Sequence, residues 1–93
     1  MTKDEIKRCL REFAQGGYFQ QSKHCRDRML ERQITTDDVL KVLLWGQVTE
    51  IENNQEHGSW QCKVTGTDVE NEPLVFIAGI YEHCDTVRCI TVY

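Results

Sequence analysis

The chain reads as an α+β domain, three helices followed by a four-stranded antiparallel sheet, with the N-terminal helices packed on one face of that sheet. One ground is a change of period at Gly46, from apolar residues every three or four positions to apolar–polar alternation. Another is a pair of helix-start signatures, Thr2 with Glu5 and Thr35 with Asp38. Length is the third: 93 residues build one core, so a single domain over 1–93 is expected.

The first helix opens at Thr2, and Ile6, Leu10 and Phe13, with Cys9 and Ala14 beside them, give it one apolar face. Gly16-Gly17 ends it with an expected left-handed cap, and Tyr18 and Phe19 are expected to plug the gap to the next helix. Ser22 is the N-cap of the second helix, which runs through Lys-His-Cys-Arg-Asp-Arg-Met-Leu-Glu. The third helix carries a capping box and a hydrophobic staple from Ile34 to Val39. Val39, Leu40, Val42, Leu43 and Leu44 make it apolar over more than half its circumference, so it is expected to be the most buried helix.

Beyond Gly46 the strands follow. Val48 to Glu52 is short and charged, suited to an edge. Trp60, Cys62 and Val64 alternate with polar residues and mark a strand buried on one face. Leu74 to Tyr81 is almost wholly apolar and is expected to be central. His83-Cys-Asp85 turns the chain into a last strand, Val87 to Tyr93. The second sheet face is left solvated, functional or covered by a partner.

The net charge is −4, but its distribution is uneven. Residues 1–33 carry eight Lys/Arg against five Asp/Glu, a balance of +3; residues 34–93 carry three against ten, a balance of −7. The positive charge gathers around the second helix, where it can meet a phosphate backbone locally. No long uncharged run marks a membrane span or an export signal, which predicts a soluble, cytoplasmic protein. Five cysteines, an odd number with no C-x-x-C pair, predict free thiols.

On the second helix, His24, Arg28 and Arg32 recur at i, i+4 and i+8, one stripe on one side, with Cys25 and Met29 as an apolar stripe beside it. Such a stripe is either an anion site or a solvated helix face. An imidazole titrates near neutrality, and a guanidinium fork matches phosphate geometry. Lys23 and Arg26 add charge nearby, and Arg88 is a further candidate cation. A second proton-transfer group is sought in Tyr81 or His83, with His57 and Tyr93 as weaker candidates. No metal is expected: His83, Cys84, Cys89 and Cys62 match no zinc spacing. No organic cofactor is expected either.

Lys-His-Cys-Arg-Asp-Arg-Met-Leu-Glu-Arg-Gln-Ile, then Thr-Thr-Asp-Asp-Val-Leu, resembles the opening signature of the bacterial domain of unknown function 4258. Trp60 to Gly66 with Asp68, Pro73-Leu74-Val75 and Ile90-Thr-Val-Tyr93 resemble its strands, so the similarity covers about residues 20–93. That family usually has Ala where this chain has Cys25 and Gly where it has Gln33. It is grouped with the barnase–EndoU–colicin–RelE fold, so the resemblance implies a RelE/barnase-like architecture. That fold group includes metal-independent ribonucleases and toxin components, so the activity the resemblance implies is a toxin-like ribonuclease, with RNA as substrate and an antitoxin as partner; the stripe chemistry makes His24, Arg28 and Arg32 its candidate residues. The alternatives are a non-catalytic phosphate- or RNA-binding module and a protein-interaction module, including a homodimer through the sheet.

Overall fold

The computed structural model describes residues 2–16, 20–54, 59–81 and 87–93. Three helices, α1 (Lys3–Gln15), α2 (Lys23–Glu31) and α3 (Thr36–Trp45), precede four longer strands, β2 (Gln47–Asn54), β3 (Ser59–Thr67), β4 (Pro73–Tyr81) and β5 (Val87–Val92). A two-residue strand, β1 (Gln20–Gln21), lies between α1 and α2. The sheet order is β1-β5-β4-β3-β2, with every pair antiparallel except β1 and β5. The sheet is therefore five-stranded rather than four-stranded. Two glutamines show no period, so nothing local announces β1; only its pairing with Arg88 and Cys89 makes it a strand.

The helix starts follow local chemistry. Thr2 and Glu5 exchange both bonds of a capping box, as do Thr35 and Asp38, and the Ser22 hydroxyl accepts from the Cys25 N–H. Gly16 is the C-cap of α1, in the right-handed region (φ −75°), and the left-handed position expected of Gly16-Gly17 would fall at Gly17. Gly17, Tyr18, Phe19, His57 and residues 82–86, where a turn is expected from the sequence, lie outside the described residues. α2 ends in a Schellman motif: the Ile34 N–H donates to the Met29 carbonyl (2.8 Å) and the Gln33 N–H to Leu30 (3.4 Å), with Gln33 left-handed at φ 55°.

The core lies between the helices and one sheet face. Ile6 and Leu10 of α1 and Val39, Val42 and Leu43 of α3 meet Val48, Cys62, Val64, Phe76, Ala78, Ile80, Val87, Cys89 and Val92 of the strands. α3 rests over β3 and β4, α1 packs on α3, and α2 lies along β5. α3 is the most buried of the three helices, as its apolar circumference predicts, while α1 turns one face inward beside it. At Gly46 a Cβ would stand 2.5 Å from the Val42 carbonyl and 2.9 Å from Val64, which only glycine permits.

The cysteines correct the expectation of free thiols. Cys25 of α2 and Cys89 of β5 form a disulfide, with Cα atoms 6.0 Å apart. Cys9 is disulfide-bonded as well. Cys62 is free and buried, and burial pushes its thiol up to about 12. An odd count only requires one cysteine to be left over; it does not forbid pairs between inward-facing positions.

Candidate functional site

Ser22 fixes where α2 begins. Its N–H donates to the Cys89 carbonyl (3.3 Å) and its hydroxyl to the Ile90 carbonyl (3.3 Å), while the same oxygen accepts from Cys25. With the Cys25–Cys89 bridge three residues further into the helix, the first turn of α2 is fastened to β5 at two consecutive strand positions, Cys89 and Ile90. His24 projects from this turn, is exposed, and its Nε2 lies 3.1 Å from the Thr91 hydroxyl.

Thr91 belongs to the sheet face turned away from the helices. Across from it, β4 shows a register shift between Ile77 and Ala78, so Ile90 is an extra residue in β5. The bulge places Ile90 over Gly79, whose Cβ position is 3.3 Å from the Ile90 Cδ1, and pairs Thr91 with Ile77. Arg88, between inward-facing Val87 and Cys89, is exposed on the same outer face. His24 thus reaches round the sheet edge to the face on which Arg88 stands.

Arg28 follows His24 by one helical turn, about 6 Å along the axis. It is half-buried, and its Nε has no hydrogen-bond partner among the described residues. One of its terminal nitrogens lies 3.8 Å from Glu31, a partly exposed i,i+3 pair worth at most about 1 kcal/mol. Arg32 is the C-cap of α2 and is exposed, as are Lys23 and Arg26. The acidic 68–72 loop is fastened to α3: the Val69 N–H donates to Asp38 (3.0 Å), and the Lys41 ammonium to the Asp68 carbonyl (2.8 Å) and Asn71 (3.1 Å). Burial works against the Asp38 carboxylate, but backbone donors from Thr35 and Val69 outweigh it and hold its pKa below the ordinary value.

The structure therefore joins His24, Arg28 and Arg32 on one helix and sets Arg88 near the sheet edge they share. The Tyr81 backbone ends β4 opposite Ser59, and His83 lies outside the described residues. Thr91 was missed, although it stands in the closing Ile-Thr-Val-Tyr motif; no local signal links it to a histidine 67 positions earlier. Cys25 and Cys89 are sulfur-bonded, which removes a Cys25 nucleophile and a Cys89 metal ligand alike. Among the described residues no three His, Cys, Asp or Glu side chains gather as a metal site, and no helix is long and apolar enough to cross a membrane.

The chain is thus a small α+β domain whose cationic helix is bolted to the edge of a sheet with one helix-free face. It belongs to the family of the domain of unknown function DUF4258, whose model matches residues 21–93 and leaves α1 outside. Comparisons with curated proteins and with solved structures gave no match.

Proposed function

We propose that the outer edge of α2 binds the phosphate backbone of RNA. The observation that carries this reading is Arg28: a guanidinium donor, buried and without an acceptor, standing between His24 and Arg32 on a cationic stripe. An unmet buried donor carries a desolvation cost, and a phosphate oxygen would relieve it through a charge-assisted bond. The test is fluorescence anisotropy with a single-stranded RNA oligonucleotide over a series of salt concentrations. Arg28→Ala and Arg32→Ala should each weaken binding and flatten the log–log salt slope by about 0.7. RNA binding indifferent to both variants, or none at low salt, overturns the reading.

A second reading, metal-independent cleavage at the same place, is favoured by the His24–Thr91 contact. A fixed, exposed imidazole suits proton transfer near neutral pH. It predicts cleavage that persists in EDTA, leaves 2′,3′-cyclic phosphate ends and falls by about 10²–10⁴-fold in His24→Ala. Binding without cleavage would leave the phosphate-binding module. Toxin-type action and an antitoxin partner belong to this second reading and stand or fall with it, whereas the RelE/barnase-like grouping is a proposal about fold alone, which cleavage does not decide. The buried cross-link weighs against a cytoplasmic location, since disulfides persist mainly in oxidising compartments.

A further inference from the structure

The sheet face away from the helices is built in rows. Glu50, Lys63, Ile77 and Thr91 stand opposite one another across β2, β3, β4 and β5; Glu52, Gln61, Gly79 and Arg88 form the next row. Both rows run from a carboxylate on the β2 edge to β5, which the short β1 flanks and where Arg88 and the His24 bonded to Thr91 stand. Between them Val75, Ile77 and Ile90 are half-buried, yet they take no part in the core, which lies on the other face. A groove of about 440 Å³ opens over the β2 side, lined by Glu50, Glu52, Gln61, Lys63 and Ile77 among others.

We propose that this face is a self-association surface, occupied by the same face of a second copy of the chain. A two-fold axis parallel to the strands, between β3 and β4, lays the β2 edge of one copy over β5 of the other and keeps each row at its own height. Glu52 of one copy then meets Arg88 of the other, and Glu50 comes to the Thr91–His24 corner. Ile77 and Val75 flank the axis on both sides, and the groove receives the bulged Ile90 side of the second copy. An axis across the strands would instead stack β2 on β2 and set carboxylates against carboxylates, so charge selects the first arrangement. The opposed sheets would lie about 10 Å apart at the usual twist of about 30°. Four strands spaced about 4.8 Å, over eight residues of about 3.3 Å, cover roughly 500 Å² per copy. Counting both copies, roughly 1,000 Å² is the lower bound for a specific interface, so the dimer is a weak one. The pairing does not rest on what α2 binds, but it sets Glu50 beside His24, so RNA held at that corner would oppose it.

Sedimentation equilibrium of the whole chain, at about 10 µM to 1 mM, tests it. The mass should rise from 10.9 kDa to twice that value with concentration, and less so in high salt. Glu52→Arg and Arg88→Glu should each weaken the dimer by at least about tenfold, since like charges then meet at both symmetry-related contacts. The doubly substituted chain should regain association. These positions are exposed, and two strands separate them within one chain, so neither folding nor an internal pair explains such a rescue. A chain that stays monomeric to 1 mM overturns the proposal, as do folded variants whose association is unchanged by either reversal or not restored by both.

Discussion

Removing the Cys25–Cys89 bridge tests the frame that holds α2. The two cysteines are 64 residues apart. In the simplest polymer treatment, cross-linking a loop of that length removes roughly 4 kcal/mol of denatured-chain entropy. Cys9 is disulfide-bonded too, so the denatured chain is already constrained, and the expected contribution falls to about 2–3 kcal/mol. Both cysteines are fully buried in apolar surroundings. Alanine therefore leaves only a small void at each, whereas serine would strand a hydroxyl. The assay is urea unfolding of Cys25→Ala/Cys89→Ala, followed by circular dichroism without reductant. A chain of this size loses stability at about 1 kcal/mol per molar urea, so the midpoint should fall by about 2–3 M. A midpoint within about 0.5 M of the parent would refute the reasoning. So would recovery of all five thiols on titrating the unfolded, unreduced parent, because the bridge would then be absent from the native protein.

Three further outcomes follow from the backbone and the buried groups. Gln33→Gly should raise stability by about 1 kcal/mol and Tm by about 4–8 °C, since glycine occupies the left-handed cap without Cβ strain; an unchanged Tm would show that the strain is negligible. Asp38→Ala should cost about 2 kcal/mol and speed amide exchange in the 68–72 loop, as both the α3 cap and the Val69 bond are lost. The folded pKa of Asp38 is depressed, so its contribution is complete above the unfolded value of about 3.9 and disappears as pH falls through the lower folded value; acid titration of parent and variant should converge there. The Cys62 thiol, buried and pushed up to about 12, should ignore thiol reagents at pH 8 in the native protein and react once it unfolds.

Helix boundaries were legible because their causes are local. Thr2–Glu5, Ser22 and Thr35–Asp38 each act within one turn, and Gly46 marks the change of period with its own missing side chain. The central place of β4 was legible too, from an apolar run covered by the core on one side and, at Gly79, by Ile90 on the other. Pairings across the chain were not. β1 is too short to show a period, and the partners of Ser22, His24 and Cys25 all lie in β5. The His24–Arg28–Arg32 stripe was visible as spacing, but the orphaned Arg28 donor and the Thr91 anchor depend on what surrounds the helix.

That dependence fixes an order of events in time. α2 is a nine-residue helix, shorter than isolated helices need to persist in water, and every tie from its first turn to the sheet waits for β5. During synthesis the segment would leave the ribosome early and stay unformed until a strand some 64 residues later had emerged and paired. Contacts of such long sequence separation slow folding, because the intervening chain must be closed before they repay it. The cationic helix is therefore among the last parts of the domain to become rigid, and a nascent or truncated chain lacking β5 carries its charges on a disordered arm.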